Sequence, residues 1–341
     1  MKKIKNKKDY LQDIAKFSKL KFSKDEKKTA ELYPFLATNY YLGLIGRDFR
    51  KDPIFRQCFP DGRELIRDSR LTEDPLAEEK QMPVPRLIHR YADRAVLLVT
   101  NRCAVHCRFC FRKRKWRSGN EMRDITEKEL HDACKYIRKN PKIREILVSG
   151  GDPLVLDIKS LENIIGKLSR IGSIDAIRIG TRMPVVLPSR IDQRLVKMLS
   201  KFLNLWIMTH FNHPVELTPE ATAACRRLSG TGIPILNQTV LLKGINDRAD
   251  ILEELFRTLA RIRVKPHYLF HVDPAEGNMH FRTGIPRALK LLKELRPRLS
   301  SLCTPAFAID LPEGGGKVLL VPEYRRGKGY EGINGRTIRY P

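Results

Sequence analysis

Cysteine is scarce here, with seven residues in 341. In a chain of this size without a secretory pattern, that usage disfavours a disulfide framework and predicts a reducing compartment. Long apolar runs are missing: none approaches the roughly 20 residues that cross a bilayer, so no membrane partner is expected. The basic start MKKIKNKKDYLQDIAKF has no apolar stretch behind it, so no secretory signal is expected and a cytoplasmic location follows. Acidic residues are in deficit, 39 against 65 Lys and Arg, for a net charge of +26. Nucleic-acid binding would need that charge gathered on one surface with stacking aromatics or a known module, whereas here it is scattered from end to end. A solvated basic surface, with a few charges meeting anionic cofactors and substrate, is the simpler reading. No internal repeat or long low-complexity segment is present.

What is present organises itself as strands alternating with helices. The 42% hydrophobic content suffices for a sizeable core. The predicted strands are AVLLVTN (95–101), EILVSG (145–150), AIRIGT (176–181), LWIMTH (205–210), PILNQTVLL (234–242) and KPHYLFHVD (265–273). Helical periodicity lies between them, as in ITEKELHDACKYIRKN and IDQRLVKMLSKF. Six such units predict an α/β fold, an incomplete parallel (β/α)6 barrel with sites at the carboxyl ends of its strands. The expected organisation is an amino-terminal helical region (1–90), in which DYLQDIAKF and KDEKKTAELYPF form short helices, then the barrel (91–285) and a carboxy-terminal segment (286–341). The Gly- and Arg-rich PEYRRGKGYEGINGRTIRYP is expected to be an extended tail.

Three motifs fall at those strand ends. Cys103, Cys107 and Cys110 form CxxxCxxC just after the first strand. Such a triplet can surround a metal centre and leave it one ligand short of four. Structural zinc with His106 as fourth ligand is the rival reading, although structural zinc usually draws on two separated ligand pairs; an iron–sulfur cluster suits a compact triplet better. Ser149-Gly150-Gly151-Asp152-Pro153-Leu154 follows the second strand, and its glycines would let the backbone approach a ligand closely. Asp310-Leu311-Pro312-Glu313-Gly314-Gly315-Gly316-Lys317 offers glycine amides to an anion such as phosphate and a lysine to an aldehyde. A P-loop is excluded, because no Ser or Thr follows Lys317 and the spacing is wrong. Cys58, Cys134, Cys225 and Cys303 read as buried small apolar residues.

CxxxCxxC with Phe109 before its last cysteine resembles the cluster motif of the radical S-adenosylmethionine (SAM) enzymes. More of the chain is similar to the lysine 2,3-aminomutase family within them: YPFLATNYYLGLI, DPLAEEKQMPVPRLIHRYADR, RIGTRMPVVLPSRI, THFNHP, NQTVLLKGIND, HFRTG and DLPEGGGK. The resemblance implies a radical-SAM barrel with a [4Fe-4S] cluster on the three cysteines and S-adenosyl-L-methionine on the cluster's remaining iron. It implies pyridoxal 5'-phosphate (PLP) bound to Lys317 as an internal aldimine. The implied reaction is a radical 1,2-shift of an amino group, for which the cofactor ring supplies the π-system.

Residue by residue, Gly150, Gly151, Asp152, His210 and Gln238 match positions that contact SAM, and Tyr91 and Arg94 match positions near PLP. Arg112 matches the arginine that pairs with the substrate carboxylate, a task for a planar two-pronged donor. Asp273 and Asp310 match the aspartates that bind the side-chain ammonium in lysine-specific members. The expected enzyme is an isomerase converting L-lysine to β-lysine, fed by an electron donor such as flavodoxin or ferredoxin. The alternatives are the branch that makes β-lysine for elongation factor P, whose members lack a comparable GGGK segment, and a 2,3-aminomutase for another cationic amino acid such as arginine or ornithine. Further off stands a nucleic-acid-modifying radical SAM enzyme. Longer family members carry carboxy-terminal cysteines that bind a structural zinc at a subunit interface with an earlier cysteine. Arg248 stands at that earlier position, so no structural zinc is expected and homo-oligomerisation is left open.

Overall fold

The structure, a computed structural model, describes residues 22–340. DYLQDIAKF lies outside them. Strand β1 (Leu87–Tyr91) pairs antiparallel with β2 (Arg94–Thr100). From β2 the sheet continues in parallel through β3 (Glu145–Gly150), β4 (Ala176–Gly180), β5 (Leu205–Thr209), β6 (Ile235–Leu241), β7 (Lys265–His271) and β8 (Ala306–Leu311). Strand β9 (Gly316–Leu319) closes the series antiparallel to β8, and strand order follows the sequence throughout. All six predicted strands are therefore present as β2 to β7, and the sheet extends beyond them at both edges.

Period-two alternation divides each strand between two environments. On β2, Leu97 and Val99 are fully buried in the outer core, whereas Val96, Leu98 and Thr100 face the barrel cavity. Helices Glu127–Lys139, Ile158–Ser169, Pro219–Ser229, Ala249–Arg261 and Ile285–Leu295 cover the outside. Their starts are written locally: Thr126 and Glu129 form a reciprocal capping box, and Asp157 and Thr218 cap the next turns. No described helix is long and apolar enough to cross a membrane.

The barrel's two antiparallel edges meet through side chains. The Tyr91 hydroxyl at the end of β1 accepts from the Lys317 amide of β9 at 2.8 Å, and Arg90 donates to the Leu311 carbonyl. The amino-terminal helices Lys24–Leu32, Asn39–Gly43 and Pro53–Cys58 pack on the barrel, with Tyr41, Ile54 and Cys58 fully buried. KDEKKTAEL is a helix as expected, begun by a Ser23/Glu26 capping box.

The carboxy-terminal stretch differs from the expected extended tail. It forms a three-stranded antiparallel meander, β10 (Arg325–Arg326), β11 (Gly329–Glu331) and β12 (Thr337–Arg339). Gly327, at φ +58°, opens a two-residue hairpin loop, and Asn334-Gly335 turns the next one. Lys293 and Arg296 of the preceding helix bind Glu331 and anchor the meander.

Candidate active site

One cavity of about 1100 Å3 opens inside the barrel. Every residue the resemblance matches to a cofactor or substrate position lines it: Cys103, Cys107, Cys110, Tyr91, Arg94, Arg112, Gly150, Gly151, Asp152, His210, Gln238, Asp273, Asp310 and Lys317. The volume exceeds what one small ligand needs.

The cysteine loop is held from behind by charge. Arg108, wholly buried, grips Glu64 through Nε and Nη2 at 2.9 and 2.8 Å and donates to the Tyr33 carbonyl; Lys113 reaches the same carboxylate at 2.9 Å. Arg112, Lys113 and Arg114 thus spend their charge on Glu64, Glu78 and Asp74 of the amino-terminal part rather than on solvent. Removing one partner of such a buried pair typically costs about 3–5 kcal/mol. Burial pushes the Cys103 and Cys110 thiols up, and the neighbouring thiols act on each in the same direction. The three are close enough to interact, yet no set of three or more His, Cys, Asp or Glu side chains among the described residues converges as one metal ion requires. All three thiols line the same cavity. His106 is turned away from them: its Nδ1 lies 2.7 Å from the Pro34 carbonyl and its ring stacks on Trp116 at 4.2 Å. Cys58, Cys134, Cys225 and Cys303 are free and buried, as expected.

The glycines at the end of β3 pack tightly against a protein neighbour. A Cβ on Gly150 would stand 2.2 Å from the Thr100 carbonyl oxygen, and one on Gly151 2.2 Å from that of Arg102. The close approach is to the cysteine loop, which receives the Gly151 and Asp152 amides at 2.6 and 2.8 Å. The Asp152 carboxylate caps the turn at Leu154, accepts from the Thr181 hydroxyl at 2.8 Å and takes the Arg182 amide at 2.7 Å. Burial raises its pKa. His210, beyond β5, is held neutral: burial, then the Arg182 charge, lower its pKa to about 3.

The glycine run before Lys317 has a definite place in the sheet. It is the β8–β9 hairpin turn, with the Gly315 amide donated to the Pro312 carbonyl, and Gly314 and Gly315 are exposed. Its effect is register. Lys317 pairs directly across from Asp310, with Nζ 3.4 Å from Oδ2 and 5.3 Å above the Phe270 ring. Gly316 has φ +78° and packs against Tyr91, whose ring would lie 3.2 Å from an added Cβ. Arg94 lies 3.8 Å above the same ring. Arg90 Nε and Asp310 Oδ1 are buried without a hydrogen-bond partner, although Arg90 Nη1 stands 3.5 Å from that oxygen. Burial and then the Asp310 carboxylate push Asp273 up to about 7, against the pull of Lys317 and Arg282.

Two residues that carry the site were not singled out from the sequence. Glu78 clasps Arg112 through Nε and Nη2 at 3.0 and 2.6 Å, and Ser149 takes Nη1 at 3.2 Å. Burial works against the Glu78 charge, but Arg112 and Arg114 outweigh it and lower its pKa. Arg182 joins Asp152, Cys107 and the His210 carbonyl. An arginine two residues past an apolar strand was the available signal; its partners lie far off in sequence.

The radical SAM superfamily model matches residues 97–258. An Aquifex aeolicus protein, provisionally named an L-lysine 2,3-aminomutase, is 44% identical over 99% of this chain and 93% of its own. The L-lysine 2,3-aminomutase of Clostridium subterminale is 43% identical over 84% of this chain and 68% of its own. A glutamate 2,3-aminomutase from Clostridioides difficile is 37% identical over 91% of this chain and 73% of its own. With the site geometry and this breadth of likeness together, the chain belongs to the lysine 2,3-aminomutase family of radical SAM enzymes.

Proposed function

We propose that the protein is an isomerase that moves the amino group of L-lysine from carbon 2 to carbon 3 to give β-lysine. The observation that carries this is the convergence of Asp273 and Asp310 in the cavity that also holds the three cysteines and Lys317. Two carboxylates there suit a cationic side chain and repel an acidic one, which separates this site from a glutamate enzyme. The surroundings of Lys317 support lysine-bound PLP over a nucleic-acid-modifying role.

The family's cofactors are a [4Fe-4S] cluster, SAM and PLP; bound here they supply one-electron hydrogen abstraction and a π-system for the migrating nitrogen. Cys103, Cys107 and Cys110 would each hold an iron. Lys317 would hold the PLP aldehyde, with Tyr91 and Arg94 beside it; Arg90 Nε and Asp310 Oδ1 are buried there without a hydrogen bond, which fits a polar group in the cavity. Gly150, Gly151, Asp152, His210 and Gln238 would face SAM. Arg112 has five N–H donors; Glu78 and Ser149 use three, which leaves one on each Nη for the substrate carboxylate. Phe109, Val240 and Val272 give the cavity an apolar wall. A low-potential one-electron donor such as flavodoxin or ferredoxin, and a reducing cytoplasm, complete the reading.

The test is at the aspartates. Losing one partner of a desolvated charge costs about 2–5 kcal/mol, on the order of 30- to 5000-fold in affinity. Asp273→Asn and Asp310→Asn are each expected to lower kcat/KM for lysine within that range while iron and PLP content hold. Unchanged kcat/KM in both would overturn the assignment. The raised pKa of Asp273 adds a sign: its carboxylate, the form that attracts ammonium, gains population as pH rises through about 7. kcat/KM for lysine should therefore climb between about pH 6 and 8, and Asp273→Asn should lose that limb.

A further inference from the structure

Arg182 is buried at 7% exposure, and each of its nitrogens is engaged. Nη1 donates to Cys107 Sγ at 2.9 Å and Nε to the His210 carbonyl at 3.2 Å. Nη2 faces the Tyr41 hydroxyl, Gln57 Oε1 and Glu216 Oε1 at 2.9, 2.7 and 2.6 Å. Glu216 is wholly buried and further fixed by the Tyr41 hydroxyl at 2.7 Å and the Asn212 amide at 2.6 Å. Cys107 receives a full positive charge, with the compensating negative charge on the far side of the guanidinium.

We propose that Arg182 is a positioning residue that sets the reduction potential of the cluster, with Glu216 as its counter-charge. The inference rests on the reading that Cys103, Cys107 and Cys110 hold that cluster. Cluster potentials follow net charge, hydrogen bonds to the sulfurs and solvent exposure. On reduction the cluster takes up one electron from a low-potential one-electron donor; no bond forms or breaks and no proton is required. A fixed guanidinium hydrogen-bonded to a ligating sulfur stabilises the added negative charge, more strongly in a buried site than in water. Glu216 opposes this from one group further away. A purely structural ion pair would have no such signature, because both of its partners would merely support the fold.

The measurement is an EPR-monitored redox titration of anaerobically reconstituted full-length protein, with iron and sulfide quantified. At a potential near the wild-type midpoint, Arg182→Gln is expected to lower the ratio of reduced to oxidised cluster about tenfold, which is about 59 mV for a one-electron couple. Glu216→Gln is expected to raise that ratio. Arg182→Lys, which keeps the charge, should lie nearer wild type than Arg182→Gln. If a single variant fails to fold, the double variant Arg182→Gln/Glu216→Gln removes the buried pair without stranding a charge; it should still lie below wild type, since the nearer charge dominates. Full iron content with an unchanged midpoint in the variants, or shifts of the same sign for Arg182→Gln and Glu216→Gln, would overturn the proposal. A wild-type protein that takes up no iron would instead overturn the cluster assignment beneath it.

Discussion

Changing Cys103, Cys107 or Cys110 to Ala is expected to reduce turnover to background and to lower the bound iron, while the protein stays folded. All three thiols line one cavity, and on the proposed cluster reading each would hold its own iron, so none could substitute for another. Three of the nearby cations are held by carboxylates, Arg108 and Lys113 by Glu64 and Arg112 by Glu78. The contrasting variant is Cys225→Ala, a fully buried core position behind the sheet. It should cost about 1 kcal/mol of stability through a small cavity and retain iron and activity. Iron analysis, absorption spectra and anaerobic assays check both. Full activity in an aerobically purified, iron-free, zinc-loaded protein would contradict the account.

Lys317→Ala is expected to abolish both turnover and covalent attachment of PLP, with the cluster unaffected. The strand register that opposes Lys317 to Asp310 holds the amine at the cavity wall over Phe270, and the Tyr91 hydroxyl fixes the Lys317 backbone amide. Another cavity lysine, Lys115, is tied to Glu79 at 2.6 Å. Borohydride reduction followed by peptide mapping should place the label on Lys317, and a label on Lys115 would refute the assignment.

The βα rhythm was legible because fully buried parallel strands are short apolar runs set between amphipathic helices, and β2 to β7 stand where those runs are. Strands β1, β8 and β9 were not, because LIHRY, AFAIDL and GKVL carry charge or small residues and owe their strand form to neighbours in the sheet. Motif residues could be named from their spacing, yet the packing of the glycines could not. Gly150 and Gly151 make room for the cysteine loop, and Gly314 and Gly315 turn a hairpin. Neither purpose shows in a local pattern. Glu78 and Arg182 escaped notice because their work is done at a distance: Glu78 meets Arg112 34 residues on, and Arg182 meets Cys107 75 residues back. A basic run such as RKRK looks solvated until its acidic partners from the amino-terminal part are in place.

The central claim is that this cavity shifts the amino group of a cationic amino acid. Its most direct test is anaerobic incubation of the reconstituted enzyme, with SAM, PLP and a reductant, separately with lysine, arginine, ornithine and glutamate, followed by identification of any β-amino acid. The account predicts β-lysine from lysine as the fastest product and no β-glutamate. Turnover of glutamate in preference to lysine would contradict it.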